Sequence, residues 1–246
     1  MMDIGEALRR MKRGEGALNP QPEPVYECAD CQDSGVIELS PGTRNGPTEV
    51  CSKCQEKERT ARLWRGSLLP EEARAKTFKA FRKRPGTIPA LEAAQALAGG
   101  LWRPFLTLIG YPGAGKTHLA IAVCLHRIAN GQAAQFWTAE LLLRYLRDGI
   151  GQPSDSMDDY EHRSRALLLH PFLVLDDLGW QQKTPWGEVQ LDELIDSRYG
   201  RELPTMVTME PSKVALLSDR ISSRIQDKRL AVVVRMEEAK DYRREG

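Results

Sequence analysis

Eight consecutive residues carry the plainest chemistry in this chain: Gly110-Tyr111-Pro112-Gly113-Ala114-Gly115-Lys116-Thr117. An apolar run at 105–109 precedes them and an apolar-periodic segment at 118–129 follows. That order predicts a strand, a glycine-rich loop and a helix, the setting in which a loop can cradle phosphates. Gly110, Gly113 and Gly115 permit a tight turn that aims successive N–H groups inward. The helix starting near Lys116 and His118 adds its positive end. Lys116 is spaced to reach β- and γ-phosphates, and the Thr117 hydroxyl to ligate Mg²⁺. Residues 110–118 are therefore the candidate nucleoside triphosphate site.

A second run, Phe172-Leu173-Val174-Leu175-Asp176-Asp177, reads as a buried strand with two acids at its C-terminal end. Open α/β sheets place their ligands at such ends. Asp176 is the candidate Mg²⁺ ligand and Asp177 the candidate to polarise an attacking water. A helix cap is the alternative use for such a pair. A third set lies near the front, where Cys28-Ala29-Asp30-Cys31 and Cys51-Ser52-Lys53-Cys54 flank nineteen residues, 32–50. Two CxxC pairs at this spacing suit a closed, structural zinc site with four thiolate ligands. A redox CxxC is the alternative reading. The short hairpin expected at 36–39 and 49–50 carries too little apolar surface to fold alone, so metal would supply much of its stability.

The elements that must position these groups alternate. Strands are expected at 105–109, 134–138, 172–175, 205–208 and 231–236, with helices at 118–129, 140–147, up to Leu169, and 187–199. An acidic stretch, 152–159, interrupts the third helical region. Alternation predicts a five-stranded parallel sheet with helices on both faces. A short alanine-rich helix, 91–97, leads into it, and Cys124 reads as a small core residue. Four segments are expected: a flexible N-terminal piece (1–27), a zinc module (28–57), a basic helical linker (58–86) and the ATPase domain (87–246). The first includes a short helix at 4–12 and a proline-rich stretch, Pro20, Pro22 and Pro24; it is a tether, a partner-binding tail or a disordered end. In 55–84, ten basic residues face four glutamates, which fits a nucleic-acid or partner surface and equally a solvated face. Overall charge is only +1, so nucleic-acid contact must come from local patches. No apolar run approaches the roughly 20 residues of a membrane span, and the front lacks a signal-peptide core; a cytoplasmic protein without membrane contact is expected.

The runs GYPGAGKTHLA, LVLDDLGW, WGEVQLDELIDSRYG, PTMVT and SDRISSRIQD occur in this order. Over 103–243 the chain resembles the AAA+ ATPase core of bacterial replicative helicase loaders of the DnaC type, and the related ATP-binding subunits of transposition systems. The cysteine module with its basic helix resembles the front of loader-like proteins. The resemblance implies an ATPase that binds ATP, Mg²⁺ and Zn²⁺, self-associates through its ATPase domain and loads the replicative hexameric helicase onto single-stranded DNA. A regulatory partner of a transposase, or an adaptor with negligible turnover, is the alternative. It further implies that Arg224, with Arg220 as second candidate, reaches a neighbouring subunit's ATP, and that no helical lid domain follows the last strand. One departure stands out. The polar residue, often asparagine, that follows strand four in the family falls here on Thr208 or Glu210, which implies slow hydrolysis.

Overall fold

The computed structural model describes residues 26–39, 47–100, 103–153, 159–239 and 241–242. The expected helix at 4–12, the proline-rich stretch, the hairpin's turn and most of the acidic stretch 152–159 lie outside them. The chain divides into two compact units, 1–55 and 56–246. In the first, β1 (Val36–Glu38) and β2 (Thr48–Val50) pair antiparallel, Val36 opposite Val50. Helix α1 (Ser52–Gly66) begins in that unit.

The larger unit is built on one sheet. A 3-10 turn (Glu71–Ala75) and α2 (Ile88–Ala98) precede β3 (Phe105–Ile109), α3 (Lys116–Ala129), β4 (Gln135–Thr138), α4 (Ala139–Asp148) and α5 (Tyr160–Leu169). There follow β5 (Leu173–Leu178), α6 (Pro185–Gly200), β6 (Thr205–Met209), a 3-10 turn (Pro211–Leu216), α7 (Asp219–Ile225) and β7 (Ala231–Arg235). All five strands run parallel in the order β4-β5-β6-β3-β7. Side chains alternate along each strand, so each face gathers its own core. Leu106, Leu108, Val174 and Met206 pack under α2 and α3, with Leu119, Val123 and Cys124 fully buried. Ile109, Leu173, Leu175, Val207 and Met209 pack under α4 to α7. Helix starts follow local chemistry: Thr138, Asp159, Thr184 and Ser218 each accept the N–H three residues on.

Two departures from expectation have physical causes. Strand β5 runs on to Leu178 because Asp176 and Asp177 continue it through a slip of register against β6, between Leu175 and Leu178. The basic segment 58–86 is helical only to Gly66, plus the turn at 71–75, and belongs to the same compact unit as the phosphate loop. Its charges hide an apolar stripe: Leu63, Trp64, Leu69, Ala73, Phe78 and Phe81 all pack on the first core. Burying those side chains outweighs the solvation of the charges between them.

The second face has a buried anchor that its sequence does not announce. Arg198, on α6, is fully buried and donates to Thr205 Oγ1, Leu167 O, His170 O and Pro204 O at 2.8–3.0 Å. Its guanidinium joins the ends of α5 and α6 to the start of β6, and burial holds its pKa down at about 10. Arg198→Ala takes a donor from three carbonyls; Leu167 O keeps the His170 N–H and Pro204 O the Leu173 N–H, while the Thr205 hydroxyl and the buried space lose their partner. A loss of about 3–5 kcal/mol in urea unfolding is expected; a loss below about 1 kcal/mol would contradict the anchoring role.

Candidate functional site

The loop between β3 and α3 takes its shape from two glycines with left-handed backbone, Gly113 (φ +75°) and Gly115 (φ +96°). Gly115 caps α3 without a side chain, leaving the first N–H groups of the helix directed into the loop. Lys116 is buried, and its Nζ donates to Gly110 O at 2.8 Å and Tyr111 O at 3.0 Å. Pro112, Gly113, Ala114, Gly115, Lys116, Thr117 and His118 line a cavity of about 810 Å³ together with Asp176, Asp177 and Glu210. Gly110 and Tyr111 serve as acceptors for Lys116 rather than as lining.

Asp176 is the centre of this cavity's polar wall. It is 2% exposed. Thr117 Oγ1 donates to its Oδ2 at 3.0 Å, and Thr208 Oγ1 donates to its Oδ1. Thr208 also accepts the Asp177 N–H at 3.1 Å. Burial pushes the Asp176 carboxyl up to about 6, opposed by the Thr208 hydrogen bond and reinforced by the Asp177 charge. Asp177 adopts φ +54°, which turns its side chain into the cavity at the cost of a conformation that non-glycine residues avoid. Glu210 ends β6 at the cavity wall and makes no cap to the turn it starts. Lys116, Thr117, Asp176, Asp177 and Glu210 thus meet in one cavity, with Thr208 behind Asp176.

Phe81, Trp180 and Tyr242 also line the cavity without having been singled out in the sequence, as do Lys76, Arg82 and Arg84, expected there only as part of a basic partner surface or solvated face. The segment 75–87 lies against the loop. His118 Nε2 is 2.9 Å from Thr77 O, and the Phe81 ring meets His118 edge-on with centroids 5.2 Å apart. Aromatic residues interleaved with the basic run, Phe78 and Phe81, were the signal available.

Arg224 and Arg220 are not among the residues lining this cavity. Arg224 Nε bonds Asp196 Oδ1 at 3.0 Å and its guanidinium lies 4.5 Å from the Tyr199 ring centre. Arg220 reaches the other oxygen of Asp196 at 2.7 Å. Arg224, then Arg220, hold the Asp196 carboxyl below the usual carboxylate range.

In the front unit, the sulfur atoms of Cys28, Cys31, Cys51 and Cys54 all lie within 4.8 Å of one another. Cys28 and Cys51 are 3.7 Å apart and Cys31 and Cys54 3.3 Å. Tetrahedral zinc with bonds of about 2.3 Å sets ligand sulfurs about 3.8 Å apart, so the donor set and spacing fit that ion. The N–H groups of Cys31 and Asp30 lower the Cys28 thiol to about 7, whereas hydrogen bonds from Cys31 and Cys28 raise Cys54. Four thiolates this close need a cation to ionise together. Asp33, unremarked in the sequence, accepts the Cys28 N–H at 2.8 Å and the Glu27 N–H at 3.1 Å, fixing the first knuckle.

A parallel sheet in this order, with a glycine loop after an inner strand, β3, and an acidic strand end two positions away on β5, defines a P-loop nucleotide-binding protein of the AAA+ class. Residues 101–233, more than half of the chain, match the family described as IstB-like ATP binding protein. The chain belongs to that family. It is 31% identical over 107 residues to an insertion-sequence putative ATP-binding protein of Geobacillus stearothermophilus, covering 44% of this chain and 40% of the relative. It is 27% identical over 120 residues to the replicative helicase loader DnaC of Escherichia coli, covering 48% of each. These matches thus span less than half the length of either relative. Among solved structures, that of the DnaC helicase loader matches with a TM-score of 0.55 at 24% identity, over 68% of this chain and 99% of that one. AMPPCP-bound DnaA from Aquifex aeolicus matches with a TM-score of 0.59 at 19% identity, over 69% and 52%. Among the described residues no helix is long and apolar enough to cross a membrane.

Two outcomes are expected here. Purified chain should carry about one zinc, and Cys51→Ser should release it while leaving ATP binding intact; metal-free protein with an ordered front unit would refute the site. The second concerns pH. The Asp176 carboxyl is raised above its ordinary 3.8, so its contribution to apo stability is complete below that value and is lost as pH rises through about 6. Asp176→Asn should therefore melt above the parent at pH 8, by about 1–3 kcal/mol, without nucleotide or Mg²⁺. The gap should close as pH falls through about 6 toward about 4; a pH-independent gap would show that Asp176 is not a buried charge.

Proposed function

We propose that this chain is an ATP-hydrolysing loader that engages the replicative hexameric helicase and helps place it on single-stranded DNA. The observation that carries the ATP-driven part is the shared carboxylate. Asp176 takes hydroxyl hydrogen bonds from both Thr117 on the phosphate-loop helix and Thr208 on β6, so a change at one strand end is felt by the other two. On this reading Lys116 leaves its loop carbonyls for the β- and γ-phosphates. Thr117 and Asp176 would hold Mg²⁺, which when bound would neutralise charge on those phosphates. Asp177 accepts a proton from, or polarises, the attacking water. Glu210 adds negative charge where a neutral polar group serves in the resembling loaders, so unstimulated turnover is slow. Arg224 acts on the nucleotide of a neighbouring copy.

The loader assignment is supported by the cysteine module preceding the ATPase unit and by similarity to DnaC. A transposase's regulatory ATPase is the second reading, favoured by the insertion-sequence relative at 31% identity. Co-purification decides between them. The chain should retain hexameric helicase in the presence of ATP and fail to retain transposase. Lys116→Ala should abolish the ATP dependence. Arg224→Ala should keep ATP affinity within about twofold yet lower turnover tenfold or more, as expected of a charge supplied in the transition state. Retention of transposase alone would replace the loader reading.

A further inference from the structure

The segment that follows β7 turns back onto the phosphate loop and touches it repeatedly. Met236 N–H donates to Ile109 O, and a Cβ placed on Gly110 would fall 2.9 Å from Met236 Cβ. On Gly86 (φ +77°) it would fall 3.0 Å from Ala239 N and from Glu238 Cβ. On Gly113 it would sit 1.7 Å from Asp241 Oδ1, while Tyr242 N–H donates to Gly113 O at 3.2 Å. A Cβ at any of these three glycines, two of them in the phosphate loop, would thus meet one passing segment, in addition to the left-handed backbone that Gly86 and Gly113 already adopt.

What this segment delivers is the Tyr242 ring. It lines the cavity and remains 53% exposed, although its backbone is tied to Gly113. Arg84 and Arg82, which also line the cavity, hold their guanidinium carbons 5.2 and 5.9 Å from the ring centre, within cation–π range. The lining therefore falls into two chemical sets. The loop, Lys116, Thr117 and the carboxylates account for a triphosphate and its metal. Phe81 and Tyr242 offer aromatic faces instead, with Arg82 and Arg84 beside the Tyr242 ring, and an exposed aromatic ring braced by cations suits a flat, electron-delocalised ligand. Because Tyr242 is bonded to the phosphate loop itself, such a ligand and the phosphates belong to one molecule.

We propose that residues 236–239 and 241–242 form part of the nucleotide site and that Tyr242 is the residue on which the nucleobase stacks, with Arg84 and Arg82 bracing its ring. The proposal rests on the ATP reading above and deepens it. Calorimetric binding of ATP and of tripolyphosphate, which has the phosphates but no base, separates the two ideas in the full chain. The parent should bind ATP more tightly than tripolyphosphate. Tyr242→Ala should weaken ATP about tenfold, the scale of one base–aromatic stack, and leave tripolyphosphate unchanged. Tyr242→Phe, which keeps the ring, should restore ATP binding. Unchanged ATP affinity in Tyr242→Ala, or parallel loss of both ligands, would overturn the proposal while leaving the ATP reading standing. A parent that binds neither ligand sinks both.

Discussion

A carboxylate that is almost entirely withdrawn from water governs the large unit of this chain. Asp176 takes hydrogen bonds from two hydroxyls, which oppose but do not cancel the effect of burial, and its carboxyl is pushed up to about 6. Burying such a charge is tolerable only where donors converge on it or a cation arrives. The fold brings the two donors and their acceptor from three different elements. Thr117 comes from the first turn of α3, which follows β3, Thr208 from β6, and Asp176 itself from β5, and these three strands are adjacent in the sheet. The register slip that lengthens β5 by Asp176 and Asp177 is part of the same arrangement, since it turns Asp177 into the cavity while its N–H stays bonded to Thr208. On the proposed reading, stability given up at Asp176 in the apo protein is recovered when metal and nucleotide bind.

Much of this arrangement was legible because it is local. A glycine loop between a strand and a helix, two acids ending an apolar run, and paired CxxC units each declare their chemistry within a few residues, and the structure gathers each set. Strand order is not local. Nothing in the sequence near Thr208 says that β6 lies between β3 and β5, so the threonine's tie to Asp176 was hidden while its position after strand four was visible. The segment 58–86 misled for a related reason. The ten-to-four charge excess over 55–84 masks Trp64, Phe78 and Phe81, which pack into a core whose other members are distant in sequence. Arg198 looked like one more helix charge, since only tertiary structure surrounds it with carbonyls.

The cysteine unit obeys a different economy. Its two strands have three residues each and are almost wholly exposed, so no apolar core holds them. Its order comes from sulfur geometry and from backbone donors, the Asp33 carboxylate binding two N–H groups and the Cys51 N–H bonding Gly35 O at 2.9 Å. A unit of this kind is stable to the degree that four thiolates share a cation. Its surface is therefore freed from packing duties, as the partner-docking role proposed above would require.

The pairing of Arg224 bears on how ATP would be sensed between copies. In the isolated chain this arginine is held by Asp196 and lies over Tyr199, whose hydroxyl is bonded in turn to Asp227. Arg220 shares the same aspartate, so Asp196 keeps a cationic partner if Arg224 departs. The pair is about one-third exposed on both sides, and its net worth is of the order of 1 kcal/mol or less. On the proposed reading, a γ-phosphate offered by a neighbour, more highly charged and in a less hydrated site, would outweigh that pair. Asp196 would then not block Arg224 but hold a long side chain in order before docking, and Arg220 would remain as the partner of the aspartate after the exchange.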